Sequence, residues 1–381
     1  MPPPAPRAPD SYTPSQEIFA RLYDEDQKKP QLQEIFEGTR KICEQRGYWI
    51  DGRPFFWSEE AERAAQSGTE FSLEPPCLYP GPGREQTKVL VVNGDAFDVA
   101  KTLRDQNYRT AVLNLANKRH AAGGAAWGET AQEESLSRCS TLSQSIGYTQ
   151  RQGRHKVWFC PNQGLYTQIA QNASVLDIRV GEYGIPEFGT VFSPNVIVFR
   201  ESEEKGFALR PDPFAVDVIS AAAYSVNPES GYNFDAPLKP GYTVEFERRL
   251  NKRPLAKTFN PNHILVAPLE AIDMDRLRLG LRRKLQAILR TARNHGEEAL
   301  VLGAIGCGVF DNPERTNRAM VISLLQELLK EDEFRGVFKE IKIAVFGSSI
   351  PGSLYSDFKN AFDRFNHEQQ MVSPEASSFE H

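Results

Sequence analysis

Eight short runs of aliphatic and β-branched residues punctuate the chain from Thr87 onward, and no other feature limits its fold as much. They are TKVLVV from Thr87, TAVLNL from Thr110, KVWF from Lys156, NVIVF from Asn195, AVDVIS from Ala215, HILVAP from His263, EALVLG from Glu298 and IKIAVF from Ile341. Several run apolar without alternating, the pattern of a strand covered on both faces. Helical segments stand between some of them. The clearest predicts a helix from about Asp275 to Asn294, with Leu277, Leu281, Leu285, Ile288 and Ala292 on one face and His295-Gly296 as its stop. Strands alternating with helices predict an α/β sandwich around a largely parallel or mixed sheet.

Ahead of the strands the pattern is helical. From Gln16 to Gly47 an apolar stripe of Leu32, Ile35, Phe36, Ile42 and Cys43 predicts one helix, with Gly47 as its C-cap. A second short helix is expected near Ser58 to Gln66. Residues 16–84 thus form an N-terminal helical extension to a main α/β domain over 85–365. The Pro-rich residues 1–15 and the polar residues 366–381 are expected to be disordered tails. Residues 229–262 are rich in Pro, Asn and Lys and read as an insertion loop.

Composition excludes several functions. A chain of 381 residues can bury a sizeable core without disulfides or metals. A formal charge of −5 offers no global field for nucleic acid or an anionic membrane, so neither is an expected partner. No apolar run is long enough to span a bilayer, and MPPPAPRAPDSYTPS predicts no secretory signal. Cys43, Cys77, Cys139, Cys160 and Cys307 are odd in number and unpaired in spacing, which predicts reduced thiols in an intracellular, nuclear or cytoplasmic setting. No Cys-x-x-Cys or His-x-x-x-His pair suggests a metal site.

Ligands of open α/β sheets sit beyond the C-terminal ends of the strands. LNLANKRHAAGG leaves its strand at Asn114 to Asn117 and continues into a loop of small residues, where backbone N–H groups can approach a phosphate. GAIGCGVFDNP, Gly303 to Pro313, is a second such loop, expected to lead into a helix capped by Asp311 or Asn312 with Pro313 in its first turn. Neither has the lysine of a P-loop; together they suit a diphosphate. Phe310 either stacks on a purine or packs in the core, and the residues leave both open.

Two adjacent carboxylates follow the first loop. TAQEES fits a capping box, with Thr130 as N-cap and Glu133 at its third position. No cap needs Glu134. Its like-charged neighbour favours the protonated form, a helix N-terminus favours the anion, and the sequence leaves the balance open.

Read together and in order, VVNGDAFDVA, TAVLNLAN, AAGGAAWGETAQEESLSRCS, GTVFSPNVIVFR, AVDVISAAA and GAIGCGVFDN resemble the microbial-type poly(ADP-ribose) glycohydrolases, a branch of the macrodomain superfamily. The family signature is Gly-Gly-Gly, a short spacer and Gln-Glu-Glu. RKICEQRGYWIDGRPFFW is similar to the family's helical lead-in, and the likeness covers roughly Gln31 to Asp363. It implies a macrodomain-like three-layer α/β/α sandwich with a mixed sheet, and a catalytic domain that cleaves the ribose–ribose bond of poly(ADP-ribose) to release ADP-ribose.

Carried over by position, the resemblance makes Glu134 the catalytic acid/base and Glu133 its ribose-orienting partner. Asn117 would grip the distal ribose, and Ala122, Gly123, Gly124 and Ala125, with Gln132 nearby, would form the first substrate-binding loop. Gly306, Cys307, Gly308 and Val309 would form the second, with Phe310 at the adenine; Asn93 and Asp95 would contact the adenine side. The expected partners are poly(ADP-ribose), ADP-ribose and ADP-ribosylated proteins, with no cofactor and no metal. Adjacent glutamates on a helix start cannot flank a sugar on both faces, so one would do both proton transfers.

Two departures stand out. Ala122 replaces a glycine and is expected at negative φ, and Lys118, Arg119 and His120 replace the usual approach to the glycines. These three either touch phosphates or stay solvated. The competing readings are a non-catalytic ADP-ribose reader and a mono-ADP-ribosyl hydrolase.

Overall fold

The computed structural model describes residues 25–79, 81–83, 86–153, 155–249 and 254–372. In chain order it begins α1 (Glu25–Gln45), β1 (Gly47–Ile50), β2 (Arg53–Phe56), α2 (Glu59–Ser67), β3 (Glu70–Ser72), β4 (Lys88–Val92), α3 (Ala96–Arg104) and β5 (Thr110–Leu115). Then follow α4 (Gln132–Cys139), α5 (Leu142–Ile146), β6 (Tyr148–Gln152), β7 (His155–Phe159), α6 (Gln163–Gln171), α7 (Ala173–Leu176), β8 (Thr190–Arg200) and β9 (Leu209–Ala221). The remainder is β10 (Thr243–Glu247), β11 (Leu255–Phe259), β12 (Leu265–Val266), α8 (Pro268–Ala271), α9 (Met274–Asn294), β13 (Ala299–Leu302), α10 (Thr316–Lys330), β14 (Glu340–Ala344) and α11 (Leu354–Val372). No helix among the described residues is long and apolar enough to cross a membrane.

The chain forms two compact units that do not follow a linear division at residue 85. Among the described residues, the first holds those of 25–74, 100–105 and 111–222, and the second those of 75–99, 106–110 and 223–372. The N-terminal helices therefore share a unit with β5, β8 and β9.

In the first unit the strand order is β3-β8-β9-β5. The pairs β3–β8 and β8–β9 are antiparallel, and β9 runs parallel to β5, so the sheet is mixed. β5 is buried along almost its whole length, as its unalternating TAVLNL requires. Helix α1 buries Leu32, Ile35, Phe36, Ile42 and Cys43, the expected stripe. Gly47 does not cap it. The helix ends at Gln45, Arg46 takes the left-handed turn at φ 56°, and Gly47 opens β1. A β carbon at Gly47 would lie 2.1 Å from the Phe56 ring across the strand pair, so the glycine serves a close approach there. Ser58 caps α2, its Oγ accepting the Ala61 N–H at 3.1 Å. Among the described residues KVWF pairs only with β6, in a two-stranded hairpin outside the main sheet.

In the second unit β13, β14 and β4 are parallel neighbours, in that order. α9 runs as its periodicity predicts, capped by Asp273, which accepts the Arg276 N–H at 3.1 Å, and is followed by Gly296 at φ 73°. The segment expected as an insertion loop instead carries β10 and β11, which join β12 in an antiparallel sheet. The missed signal is the alternation in Thr-Val-Glu-Phe-Glu, a period of two in a segment dominated by Pro and Lys. HILVAP contributes only Leu265–Val266, to this small sheet. α11 runs to Val372, past residue 365 where a tail was expected. Residues 1–15 and 373–381 lie outside the described residues.

Candidate functional site

The first unit builds its site where β5 ends. Gln132 opens α4 and clasps the strand: its Oε1 accepts the Leu115 N–H at 2.8 Å, and its Nε2 donates to the Leu113 carbonyl at 2.8 Å. The side-chain amide thus stands in for a neighbouring strand. The N-cap is Ala131, which makes no side-chain cap bond, so the expected capping box of Thr130 and Glu133 does not form. Both carboxylates turn to the preceding loop instead. Glu133 Oε2 accepts the Asn117 N–H at 2.7 Å, and its Oε1 lies 3.4 Å from Asn114 Nδ2, which also donates to Ser220 Oγ at 3.0 Å. Glu134 Oε1 accepts the Gly124 N–H at 2.7 Å.

Both glutamates are buried, at 1% and 7% exposure. Burial, followed by the charge of Glu134, holds the Glu133 carboxyl well above the usual glutamate range. The Asn117 N–H and the Asn114 amide only partly offset this. Glu134 Oε2 is buried with no hydrogen-bond partner among the described residues. Such an atom costs stability unless something else uses it.

The glycines explain how two carboxylates fit. Gly123 sits at φ 54°, and a β carbon there would lie 2.2 Å from Glu134 Oε1 and 3.2 Å from Glu133 Oε2. A β carbon at Gly124 would lie 2.5 Å from Glu129 Cγ and 2.7 Å from Trp127 Nε1. Ala122 does not take the expected negative φ; it is left-handed at 57°. That conformation costs an L-residue about 1–2 kcal/mol. The methyl is buried with Phe36, Ala125 and Tyr148, and this packing offsets part of the cost.

Asn117 shapes the turn into the loop: its Oδ1 accepts the N–H groups of Arg119 at 2.9 Å and His120 at 3.1 Å. Arg119 is turned to Asp177, donating to its carbonyl at 2.5 Å. Arg138 is a residue that the sequence reading missed. It is fully buried, with Nε donating to the Leu32 carbonyl at 3.1 Å and Nη2 to the Ala125 carbonyl at 3.2 Å. Burial lowers its pKa to about 10, against the opposing charge of Glu134. Its position four residues after Glu134 on one helix was the available signal.

The second loop lies in the other unit. Gly306 is left-handed at φ 73°, and a β carbon there would lie 3.0 Å from Ala223 Cβ and 3.1 Å from Asn317 Nδ2. Cys307 is buried, and burial pushes its thiol pKa up. Gly308 faces open space and Val309 is exposed. Phe310 is half-buried, its carbonyl accepting the N–H groups of Val226 at 2.9 Å and Asn227 at 3.1 Å. α10 begins at Thr316, later than expected, and Pro313 lies outside its first turn. Asp311 and Asn312 still serve it. Asp311 accepts from Asn317 N–H at 2.9 Å and Arg318 N–H at 3.1 Å, and Asn312 accepts from Thr316 N–H at 3.0 Å. Asn93 exchanges two bonds with the Gly347 backbone, and Asp95 accepts the N–H groups of Phe97 and Asp98 at the start of α3.

The structure thus gathers Asn117, Ala122, Gly123, Gly124, Ala125, Gln132, Glu133 and Glu134 in one unit. Gly306 to Phe310, Asn93 and Asp95 belong to the other. Among the described residues, no group of three or more His, Cys, Asp or Glu side chains is placed to hold a metal ion.

Residues 37–201 match the family model described as the catalytic domain of microbial-type PARG. The resemblance drawn from the motifs therefore holds over these residues. Among solved structures, poly(ADP-ribose) glycohydrolase from Thermomonospora curvata bound to the inhibitor ADP-HPD matches at 23% identity and a TM-score of 0.57, covering 86% of this chain and 98% of that one. The Deinococcus radiodurans enzyme in complex with ADP-ribose matches at 23% identity and a TM-score of 0.54, covering 81% of this chain and 99% of that one. These likenesses show a mixed α/β, macrodomain-like fold. No curated protein matches the sequence.

Proposed function

We propose that this chain is a poly(ADP-ribose) glycohydrolase, an enzyme that cleaves the ribose–ribose O-glycosidic bond of poly(ADP-ribose) and releases ADP-ribose. One observation carries the reading: Glu134 is buried, one carboxylate oxygen is fixed by the Gly124 N–H, and the other has no hydrogen-bond partner among the described residues. A reader of ADP-ribose has no use for such an oxygen, whereas a proton-transfer catalyst does.

Glu134 donates its proton to the leaving ribose oxygen as the glycosidic bond breaks, leaving an oxocarbenium-like sugar. The resulting carboxylate then takes a proton from water as the water attacks. Glu133, whose carboxylate accepts the Asn117 N–H, orients the ribose with Asn117. Gly123, which has no side chain, leaves room for the Glu134 carboxylate against the loop, and the Gly124 N–H fixes it there to face the reacting oxygen. No step asks for a metal. The match over residues 37–201 supports the activity, and the relatives bound to ADP-ribose and ADP-HPD support the ligand. On this reading the partners are poly(ADP-ribose) and the ADP-ribosylated proteins that carry it.

The test is release of free ADP-ribose from poly(ADP-ribose), run in EDTA. The parent chain is expected to release it. Glu134→Gln is expected to lose nearly all turnover while keeping ADP-ribose affinity within several-fold, because an acid/base acts mainly on the transition state. No release by the parent, or substantial turnover by the variant, overturns the reading.

A further inference from the structure

Positive charge is concentrated in two segments, on side chains that this mechanism does not use. NKRHAAGGAAW, residues 117–127, carries Lys118, Arg119 and His120; YTQRQGRHKVWF, residues 148–159, carries Arg151, Arg154, His155 and Lys156. Neither contains Asp or Glu, in a chain whose formal charge is −5.

The first unit joins these segments. The Thr149 N–H donates to the Ala121 carbonyl at 2.9 Å, fastening the β6–β7 hairpin to the loop that bears Gly123. Arg151 and Lys156 are exposed and face each other directly in the hairpin register. Both reach the half-buried Trp127, three residues beyond the glycine that holds Glu134. The Arg151 Cζ lies 4.9 Å and the Lys156 Nζ 5.4 Å from its ring centroid. Lys156 Nζ is also 3.1 Å from His120 Nε2. Burial, Lys156 and Arg119 lower the pKa of His120 to about 4, so it stays neutral and accepts from the lysine.

A guanidinium and an ammonium directly opposite in a hairpin present two cationic donors to a single diphosphate. A guanidinium plane and an indole also both stack on purine bases. Each repeat of poly(ADP-ribose) supplies a diphosphate and an adenine a fixed number of bonds from the bond to be cut. We infer that Arg151, Lys156 and Trp127 form a second subsite for the ADP-ribose unit adjoining the one held at Glu134, with the diphosphate at the two cations and the adenine on the Arg151–Trp127 stack. This rests on the glycohydrolase reading, since only a polymer supplies the adjoining unit.

The test measures binding of long poly(ADP-ribose) and of ADP-ribose to the full chain carrying Glu134→Gln, which prevents turnover. Adding Arg151→Glu with Lys156→Glu is expected to weaken polymer binding about tenfold or more and to flatten its salt dependence. ADP-ribose affinity should stay within about twofold, because phosphate contacts outside its own subsite do not touch it. Lys330→Glu with Lys359→Glu, the same charge change on exposed sites of α10 and α11, should leave polymer binding as it was. Unchanged polymer affinity, an equal loss for both ligands or an equal loss in the control overturns the inference. So does single-stranded DNA of equal phosphate count that binds as tightly as the polymer.

A second measurement needs no charge reversal. In the Glu134→Gln chain, polymer binding should release about two more counterions than ADP-ribose binding, and equal salt slopes overturn the subsite. ADP-ribose release by the parent chain decides the catalytic reading separately.

Discussion

At the residue scale, two neighbours with the same backbone conformation have opposite tolerances. Ala122 and Gly123 both sit at positive φ, near 57° and 54°. Ala122→Gly relieves about 1–2 kcal/mol of left-handed strain, but loses a buried methyl and adds unfolded-state freedom, so its stability should stay within about 1 kcal/mol of the parent. Its turnover should stay within a few-fold. Gly123→Ala drives a methyl into Glu134 Oε1 and should abolish most turnover, read by ADP-ribose release beside a thermal melt. Glu133 gives a pH prediction. Its folded pKa is raised, so the folded state keeps a proton that the unfolded chain gives up once the pH passes about 4.3. The stabilisation from that retained proton is complete below the unfolded value and is lost as pH rises through the folded one. Glu133→Gln, which cannot ionise, should therefore melt higher than the parent at pH 8, with the gap closing toward pH ~4. A gap that widens on acidification would refute the assignment.

At the element scale, α4 depends on the clasp that ties it to β5. Gln132 was expected to contact substrate. Its amide bonds instead to Leu113 and Leu115, so Gln132→Ala should cost about 1–3 kcal/mol by leaving strand-end groups unpaired. ADP-ribose affinity should change little, as a denaturation curve and a titration on the same sample would show. A variant with parental stability and lost affinity would make Gln132 a substrate ligand. Elements with a regular period or an apolar run were legible in the sequence: α9, the stripe of α1, and the eight apolar runs, each of which contributes to a strand. β3 was not, because three residues, Glu70–Ser72, carry no period. β10 and β11 were hidden by loop-like composition, although their alternation was present.

At the scale of the whole molecule, five thiols report on packing. Cys43, Cys139 and Cys307 are buried, Cys160 is half-buried and Cys77 is exposed. Burial also pushes the pKa values of Cys43 and Cys160 up to about 12, which keeps both as unreactive thiols. A thiol reagent should modify one cysteine promptly in the native protein and all five after denaturation, with peptide mapping placing the fast site at Cys77. Prompt modification of Cys43 or Cys307 would mean that the unit holding it opens readily.

The sequence by itself determined the alternating α/β architecture, because strands buried on both faces need unbroken apolar runs and helices need a 3.6-residue period. It also made the small residues and paired glutamates legible as a candidate site, because they are a local arrangement. What the glutamates do with their oxygens was decided by the tertiary structure. A capping box and a loop-directed carboxylate pair have the same letters, and only the placement of the Asn117 and Gly124 N–H groups selects between them. The same holds for Ala122, which takes a left-handed φ while its methyl packs with Phe36 and Tyr148, residues far from it in sequence. Arg151 and Lys156 meet Trp127 because the fold lays the hairpin on the loop, through the Thr149–Ala121 backbone bond and the packing of Tyr148 with Ala122 and Ala125. Periodicity is a property of a segment, whereas hydrogen-bond partners and burial belong to segments brought together by the fold.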